Sequence, residues 1–311
     1  MTAEMKDAYE VVVVGGGAAG LSGALMLARS RRSVLVVDAG EPRNAPADGV
    51  HGLLGREGMP PLELVARGRD EVRGYGGEIV TGTVARVRPD GDGFVVGLGD
   101  GRDVRAKRLL VTTGLVDELP DVPGLRERWG RDVVHCPYCH GWEVRDQPIA
   151  VIATGPASIH HALLFRQLTD DLIFFRHEQP ALTEAQAGDF AARGITVVDG
   201  PIAAVEVTGD AISGIRLASG SVVPRRVVAV ATRMIARAGF LDGLGLKAVP
   251  HQSGMGEHIP VDATGRTEVP GVWAAGNVTD LSAQVGSAAA AGAFAGAQIN
   301  FDLVLAAAPT H

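Results

Sequence analysis

A glycine-rich turn near the N-terminus places the strongest constraint on what this chain can fold into. The apolar segment Glu10–Val14 has the composition of a buried parallel strand, and the helix-forming segment Leu21–Arg29 follows shortly after it. Between them stand Gly15, Gly17 and Gly20 in the spacing GxGxxG. In this spacing the first glycine permits a tight turn, the second lets backbone amides approach a pyrophosphate, and the third lets helix and strand pack closely. The segment therefore predicts half of a Rossmann-like dinucleotide-binding domain, with the phosphates at the helix N-terminus.

A second strand ends in an acid at the place where the ribose of a dinucleotide lies. Ser33–Val37 is rich in apolar and β-branched residues, and Asp38 comes directly after it. A carboxylate at this position accepts hydrogen bonds from ribose hydroxyls. The order strand, glycine turn, helix, strand and acid indicates that Gly15, Gly17, Gly20 and Asp38 bind a cofactor.

The charge and hydropathy of the chain exclude several classes of partner. Hydrophobic residues make up 46% of the 311 residues, which is ample for two domains of ordinary size, and the net charge is -7 without a basic cluster. We therefore expect neither nucleic acid nor an anionic membrane as the main partner. No secretory signal pattern precedes the first strand, which favours a cytoplasmic location. The Ala-rich segment 283–308 carries polar interruptions and is predicted to be a tightly packed core helix, not a membrane span.

Two further segments repeat the design of a strand that runs into a glycine turn. Leu109–Val111 leads into Thr112-Thr113-Gly114, and Val272–Ala275 leads into Gly276-Asn277 before a long helix. With these segments almost the whole chain resembles the flavoprotein disulfide reductases with two dinucleotide-binding domains, in the low-molecular-weight thioredoxin reductase branch. That family has an acid at the position of Asn277, where it contacts the flavin ribitol, and an asparagine can also hydrogen-bond a hydroxyl. The resemblance implies FAD as cofactor, with contacts from Thr113, Gly114, Gly276, Asn277 and Gln284.

The resemblance also implies an α/β fold of two Rossmann-like dinucleotide-binding domains, the second inserted into the FAD domain. The FAD-binding domain is expected at residues 1–115 and 242–311, and the inserted NAD(P)H-binding-like domain, which carries the cysteines, at 116–241. Within the insert, residues 201–207 and 214–217 predict a β-hairpin with its turn at Gly209-Asp210. Residues 225–231 predict the last strand of that domain.

The inserted domain has lost part of the second nucleotide-binding signature. The apolar strand Pro148–Ala153 leads into a turn and helix, but Ala153 and Ser158 occupy the first and third glycine positions, and only Gly155 remains. The next strand ends in Arg176-His177-Glu178, where a reductase carries a basic cluster for the 2'-phosphate of NADPH. Both changes point the same way, so we expect that NADPH is not the working cofactor.

Both cysteines of the chain lie in the segment Cys136-Pro137-Tyr138-Cys139, and His140 follows them. Two thiols at this spacing close a small disulfide with little backbone movement, and one of them often has a lowered pKa. The spacing also occurs in c-type haem attachment sites, in zinc sites and in glutaredoxins. Haem attachment needs export, no second ligand pair for zinc follows, and glutaredoxins are much smaller proteins. A redox disulfide is therefore favoured, and no metal site is predicted.

The position of these cysteines matches the thioredoxin reductase branch, in which a CxxC stands at the start of the inserted domain. The resemblance implies that Cys139 contacts the flavin and that Cys136 exchanges with substrate. His140 stands where that family has an acid and would remove the substrate's proton. The motif CPYCHG with a degraded NADPH site resembles the bacterial FAD-dependent dithiol oxidases that close disulfides in natural products such as holomycin and romidepsin, and the fungal gliotoxin enzyme.

The function that this resemblance implies is oxidation of a small-molecule dithiol by a homodimeric enzyme in antibiotic biosynthesis, with dioxygen reoxidising the flavin to give hydrogen peroxide. Two alternatives stay open. One is an NADPH-dependent thioredoxin or small-disulfide reductase, and the other is a redox-sensing flavoprotein that switches partner binding without turnover. The loop His51–Leu54 is a candidate substrate wall, and Trp142 is expected to pack in the core.

Overall fold

The structure is a computed structural model and describes residues 5–307 of the chain. The chain folds as two compact units. The first contains the residues up to Val116 together with those from Met234 onward, and the second is Asp117–Arg233. The second unit thus ends ahead of residue 242, where the sequence places the return of the first domain. The assignment of FAD to one domain and of a nucleotide-binding ancestry to the other stays a prediction.

The elements alternate between strands and helices over most of the chain. The strands are β1 Ala8–Val14, β2 Val34–Asp38, β3 Glu78–Thr81, β4 Val84–Asp90, β5 Gly93–Leu98, β6 Asp103–Val111, β7 Leu115–Glu118, β8 Val133–Val134, β9 Ile149–Ile152, β10 Leu172–His177, β11 Thr196–Asp199, β12 Ile202–Thr208, β13 Ala211–Leu217, β14 Val222–Val223, β15 Val227–Val230, β16 Arg233–Ala236, β17 Val249–Pro250, β18 Gly256–His258 and β19 Val272–Ala274. The helices are α1 Ala18–Arg29, α2 Pro61–Gly74, α3 Leu125–Arg128, α4 Pro137–His140, α5 Ala157–Arg166, α6 Glu184–Ala192 and α7 Val285–Ala306, with short 3-10 turns at Gly239–Leu244 and Gly276–Val278.

The first unit is built on a seven-stranded sheet in the order β3-β2-β1-β6-β5-β4, with β19 paired to the end of β6. Strands β3, β2, β1, β6 and β19 are parallel, and β4 and β5 continue the sheet as an antiparallel hairpin. The central strands are apolar on both faces because both faces are covered, as expected for a parallel sheet. The sheet brings the carboxyl ends of β1, β6 and β19 side by side, which is where ligands bind in such folds.

Helix α7 packs on α1 through small residues. A Cβ added to Gly292 would lie 1.9 Å from the carbonyl oxygen of Ala19, and one added to Gly296 would lie 2.6 Å from that of Gly23. The two helices can approach this closely because Gly23, Gly292 and Gly296 carry no side chain at the contact. The prediction of a tightly packed core helix is right for this face only, since Phe294, Phe301, Val304 and Leu305 are exposed. By length and composition alone α7 could cross a membrane, and Ala308 lies outside the described residues.

The second unit has a five-stranded parallel sheet in the order β11-β10-β9-β15-β8. The predicted hairpin is confirmed: β12 and β13 pair antiparallel, and Gly209 and Asp210 form the turn between them with φ of 59° and 64°. The predicted last strand is β15. With these two sheets the chain has the α/β architecture that the sequence predicts, and its match to thioredoxin reductase-like structures is described below.

Candidate active site

The glycine turn of the first unit has the form that its spacing predicts. Gly15 adopts φ 107°, and a Cβ there would lie 2.4 Å from the carbonyl oxygen of Thr112. A Cβ on Gly20 would lie 1.9 Å from the carbonyl oxygen of Gly15. Gly17, by contrast, is the N-cap of α1, and a Cβ there would meet no heavy atom within 4 Å. Gly15 and Gly20 are therefore required by close contacts within the protein, whereas Gly17 faces free space at the start of α1.

Thr112 closes this turn from the neighbouring strand, a role that is not predicted from the sequence. Its Oγ1 lies 3.0 Å from the carbonyl oxygen of Val14 and 2.9 Å from that of Gly15. The hydroxyl is the donor in both contacts, because a carbonyl can only accept. In the sequence, its position beside the predicted Thr113-Gly114 turn was the one indication that Thr112 lies near the cofactor site.

Asp38 lies beside the turn, as the sequence predicts, but it already has protein partners. Its Oδ1 accepts a hydrogen bond from the backbone N–H of Gly16 at 3.1 Å, and its Oδ2 forms an ion pair with Arg69 of α2. A carboxylate offers about four acceptor positions, so two of them stay available for ribose hydroxyls. The Nε of Arg69 is buried without a hydrogen-bond partner within residues 5–307. No sequence motif connects Arg69 with Asp38, because their contact depends on how α2 packs.

The two other predicted turns lie at the same edge of the sheet. Gly114 has φ 66°, and the hydroxyl of Thr113 donates to the carbonyl oxygen of Arg237 at 2.7 Å. Gly276 has φ 79°, and a Cβ there would lie 2.9 Å from the Cβ of Ala19 at the start of α1. The structure thus brings both turns to the glycine turn of β1. Their contacts with a cofactor stay predictions.

Asn277 uses its amide donors within the protein. Its Nδ2 donates to the carbonyl oxygens of Ala283 at 2.9 Å and Asp280 at 3.1 Å, and it lies 3.5 Å from that of Leu281. These bonds hold the turn that leads into α7. The side-chain oxygen can still accept from a ribitol hydroxyl, which is the contact that the resemblance implies. A carboxylate could not make the three contacts to carbonyl oxygens, because it has no proton to donate at neutral pH.

Restoring the family's acid with Asn277→Asp is therefore expected to destabilise the protein and not to improve flavin retention. We expect a loss of about 2 kcal/mol, because a charged acceptor would face carbonyl oxygens. The measurement is a thermal melt together with the flavin-to-protein absorbance ratio at pH 7. Asn300→Asp is the matched control, since the Oδ1 of Asn300 accepts from Nε of Arg32 at 2.7 Å and a carboxylate keeps that bond. An Asn277→Asp protein with unchanged melting and higher flavin content would contradict the structural role.

Gln284 is the N-cap of α7 and has an exposed side chain beside the loop 51–54. A Cβ on Gly52 would lie 3.6 Å from Oε1 of Gln284, and one on Gly286 would lie 3.7 Å from Cδ1 of Leu53. The loop is held by its own contacts: Nδ1 of His51 lies 2.6 Å from Oε1 of Glu57, whose other oxygen accepts from the N–H of Gly52 at 2.9 Å. The hydrogen bond from His51 lowers the pKa of Glu57. The side chain of Leu54 is fully exposed.

The first unit therefore fits a dinucleotide on the observations of its own structure. The backbone in front of Gly17 is open where a side chain would block a pyrophosphate. The carboxylate of Asp38 lies next to that opening, and the turns at Gly114 and Gly276 border it. When bound there, FAD would supply the capacity to take up two electrons and to pass them to another acceptor.

The cysteines belong to the second unit, where they form a disulfide. The sulfur atoms of Cys136 and Cys139 are bonded, with their Cα atoms 5.2 Å apart. Cys136 is the N-cap of α4, and Pro137 takes the first helical position, where its missing N–H is not needed. The backbone N–H of Cys139 lies 3.1 Å from the sulfur of Cys136. His140 ends α4 with a partly buried side chain, and its backbone N–H donates to the carbonyl oxygen of Cys136 at 3.1 Å.

Two aromatic side chains next to the disulfide are exposed to solvent. Tyr138 is 68% exposed and Trp142 is 67% exposed, with the indole ring of Trp142 packed against the guanidinium of Arg145 at 4.0 Å. The expectation that Trp142 packs in the core is wrong. Proximity to the disulfide in the sequence gave no signal of burial, and no residue of the preceding helix α4 is buried.

The second glycine turn, between β9 and α5, has one backbone donor engaged and another removed. The backbone N–H of Thr154 donates to Oγ of Ser158 at 2.9 Å, and Ser158 is fully buried. Pro156 stands at the N-cap of α5 and has no N–H to offer. Gly155, like Gly17 of the first turn, opens onto free space. Ala153 is buried at the end of the strand.

The two basic residues at the end of β10 are also engaged. Arg176 lies with its Nε 2.6 Å from Oδ1 of Asp199 and donates from Nη1 to the carbonyl oxygen of Gln179 at 2.6 Å. Nδ1 of His177 accepts from the backbone N–H of Ile202 at 2.9 Å. Within the described part of the chain, no group of three or more His, Cys, Asp or Glu residues could hold a metal ion.

Comparisons with a family model and with solved structures agree on the family of this chain. The model of the pyridine nucleotide-disulphide oxidoreductase family matches residues 9–295. The crystal structure of HlmI is 45% identical with a TM-score of 0.90, over 96% of this chain and 94% of that one. The structure of an oxidoreductase from Agrobacterium tumefaciens is 34% identical with a TM-score of 0.89, over 97% of this chain and 99% of that one.

A curated relative gives the same result at the level of sequence. Thioredoxin reductase tcpT of Claviceps purpurea is 30% identical over 306 residues, which cover 95% of this chain and 94% of that protein. The enzymes of this family depend on FAD and typically use NAD(P)H. The strand order, the glycine turn with its acid, and the disulfide in the second unit all agree with the family match. The chain is therefore an oxidoreductase that belongs to the pyridine nucleotide-disulphide oxidoreductase family.

Proposed function

We propose that this protein is an FAD-dependent dithiol oxidase that forms a disulfide in a small-molecule dithiol through Cys136 and Cys139. Dioxygen would then reoxidise the flavin and give hydrogen peroxide. The observation that carries the proposal is the contrast between the two nucleotide turns. Both turns are open at their middle glycine, Gly17 and Gly155, but Gly155 is followed by Pro156, which has no N–H, whereas Gly17 is followed by Ala18. A reductase needs both turns, and an oxidase needs only the first.

The charged side chains beside the second turn also support the proposal that NADPH does not bind there. Recognition of the 2'-phosphate of NADPH needs uncommitted basic side chains. Arg176 is paired with Asp199, and Nδ1 of His177 is occupied by a backbone N–H, which fixes it as an acceptor. A phosphate would have to displace the carboxylate of Asp199. An exposed ion pair is weak, so this pairing supports the argument from the turn and does not replace it.

The oxidation of a dithiol by the disulfide of Cys136 and Cys139 needs no electrons from NADPH. A thiolate of the dithiol attacks the sulfur of Cys136, and the disulfide bond breaks to leave Cys139 as a thiolate. The second thiolate of the substrate attacks the substrate sulfur of the mixed disulfide, which releases Cys136 as a thiolate and the cyclic disulfide as product. His140 would take the proton from the substrate thiol, because an imidazole is suited to proton removal near neutral pH. A bound FAD would accept the two electrons that the reduced Cys136 and Cys139 then hold.

The substrate class rests on the loop next to Gln284. We infer that His51–Leu54 offers an apolar surface of the first unit to the substrate, because Leu53 lies over Gly286 and Leu54 is exposed. An apolar loop suits a compact hydrophobic dithiol. The resemblance of the CPYCHG motif to natural-product dithiol oxidases supports the same class.

The exposed face of α7 supports a homodimer as the working form. Phe294, Phe301 and Leu305 are 49%, 60% and 59% exposed, and positions seven and four apart lie on one face of a helix. Val304 adds to this strip. Large apolar side chains grouped in this way are typical of a surface that a partner covers. A second copy of the chain is the partner that the family resemblance implies.

The test is an anaerobic titration of the purified flavoprotein with NADPH and, separately, with a small dithiol such as dithiothreitol. We expect the dithiol to bleach the flavin absorbance, air to restore it with one hydrogen peroxide formed per disulfide, and an equal concentration of NADPH to leave it oxidised. Rapid bleaching by NADPH would favour the second candidate, a thioredoxin or small-disulfide reductase, which the name of the relative tcpT supports. Bleaching by dithiol without sustained peroxide formation in air would favour a redox sensor.

A further inference from the structure

His161 makes a hydrogen bond to the peptide group that precedes the first cysteine. The side chain lies on α5 and is 8% exposed, and its Nε2 faces the carbonyl oxygen of His135. A carbonyl oxygen only accepts, so Nε2 carries the proton and the imidazole is the donor. His135 is the residue immediately before Cys136. A helix that follows the second nucleotide turn is thereby tied to the backbone of the disulfide.

The surroundings of His161 keep its ring neutral. Burial, together with the nearby His135 and His160, lowers the pKa of His161 to about 4, although the hydrogen bond to the His135 carbonyl opposes this shift. The ring packs edge-on against Phe165 with a centroid distance of 4.9 Å. The ring therefore holds one proton at neutral pH, and that proton lies at Nε2.

The other nitrogen of the ring indicates why a histidine, and not an apolar residue, occupies this position. Nδ1 of His161 is buried and has no hydrogen-bond partner within residues 5–307. A buried polar atom without a partner costs stability, and an apolar side chain would avoid that cost in this environment beside Phe165. What an apolar side chain would not provide is the hydrogen bond from Nε2 to the backbone of His135.

That bond holds the chain just before Cys136, whereas α4 holds the chain just after it. On the helix side, the carbonyl oxygen of Cys136 accepts from the N–H groups of Cys139 at 3.2 Å and His140 at 3.1 Å, and the N–H of Cys139 also lies 3.1 Å from the Cys136 sulfur. On the strand side, the carbonyl of His135 is held by His161. Cys136 is thus fixed at the N-cap from both directions, with its sulfur facing an N–H group.

We propose that His161 is a positioning residue for Cys136: its Nε2–H holds the peptide before the cysteine, and so keeps the sulfur against the N–H of Cys139 once the disulfide is reduced. A hydrogen bond to a thiolate stabilises the charged form and lowers the pKa of the thiol. Loss of the His135 anchor loosens this contact and makes Cys136 a weaker nucleophile at neutral pH. The inference rests on the proposed function only in taking Cys136 as the sulfur that exchanges with substrate.

The experiment measures the reactivity of one thiol in the flavin-loaded protein. Cys139→Ser leaves Cys136 as the single thiol of the chain and keeps the backbone N–H at position 139. In this background, the rate of alkylation by iodoacetamide as a function of pH gives the pKa of Cys136. We expect His161→Phe to raise that pKa by about one unit, which is the scale of one hydrogen bond. His161→Gln, which can donate to the same carbonyl, restores the pKa at least in part, and His160→Ala, at the exposed neighbouring position, leaves it unchanged.

An unchanged pKa of Cys136 in a folded His161→Phe protein overturns the proposal. If that variant does not fold, nitrogen NMR of histidine-labelled protein decides: we expect the Nε2–H form of His161 from pH 5 to pH 9 in both the disulfide and the dithiol states. A ring that titrates in this range, or that carries its proton on Nδ1, contradicts the proposal. Neither measurement requires turnover. A protein that uses NADPH but shows the expected effect of His161 would therefore refute the oxidase and leave the positioning role standing.

Discussion

Cys136→Ser is expected to retain FAD and to lose dithiol-driven bleaching of the flavin almost completely. The serine hydroxyl cannot form a disulfide with Cys139, so no bond remains for a substrate thiolate to attack. We expect the rate of anaerobic flavin reduction by dithiothreitol to fall by at least about a thousandfold, the scale on which removal of a covalent catalyst acts. The flavin-to-protein ratio is expected to be unchanged, because the glycine turn and Asp38 belong to the other unit.

Cys139→Ser is the matched control for the identity of the attacking sulfur. Its remaining thiol, Cys136, is expected to attack a small aromatic disulfide and to stop at a mixed disulfide, since no second thiol of the chain can resolve it. Mass spectrometry of the intact protein measures this adduct. If Cys136→Ser forms the stable adduct and Cys139→Ser does not, the two cysteines have the opposite roles. Normal turnover of dithiol by Cys136→Ser would contradict the mechanism as a whole.

Gly17→Ala is expected to remove the flavin without unfolding the protein. Gly17 has φ -80° and ψ -169°, which alanine adopts readily, and its Cβ would meet no protein atom within 4 Å. The change costs the helix N-cap less than about 1 kcal/mol. The added methyl group would occupy the opening in front of the turn, so we expect FAD to bind at least about tenfold more weakly, equivalent to about 1.4 kcal/mol. Flavin content after purification, the Kd for added FAD and the melting of the apoprotein measure the two effects separately.

Gly20→Ala provides the contrast within the same motif. Its Cβ would lie 1.9 Å from the carbonyl oxygen of Gly15, so the turn itself has to move. We expect a loss of about 3 kcal/mol or more in the stability of the apoprotein, in addition to loss of FAD. If Gly17→Ala retains FAD with unchanged affinity, the opening at Gly17 does not receive the pyrophosphate.

The parts of the fold that sequence could predict are those in which local rules and tertiary structure agree. The segment from Glu10 to Arg29 combines an apolar strand, fixed glycine spacing and a helix-forming run, and it folds as β1, the turn and α1. The hairpin at Gly209-Asp210 follows from two residues that accept positive φ. The sequence also indicated that the second nucleotide turn had changed, because Ala153 and Ser158 replace glycines.

The parts that sequence could not predict depend on long-range packing. The ion pair of Arg69 with Asp38 joins α2 to β2, and no spacing rule connects the two residues. The hydrogen bond of His161 to His135 is set by the packing of α5 beside α4. The donors of Asn277 point to carbonyl oxygens that follow it in the chain, so comparison with the family's acid suggested a ligand contact and did not reveal the turn. In each case the residue type indicated a functional group, but the sequence did not indicate which residue that group contacts.

The contact between α1 and α7 imposes an order on how the protein can be completed during synthesis. About 250 residues separate the end of α1 from the start of α7, so a ribosome needs on the order of ten to fifty seconds to add the second helix after the first. Until then the Gly23 surface of α1 has no helix to cover it, and β6 lacks its partner β19. The second unit, continuous from Asp117 to Arg233, is finished well before that time. The cysteine-bearing unit is therefore complete as a chain before the unit with the glycine turn can close.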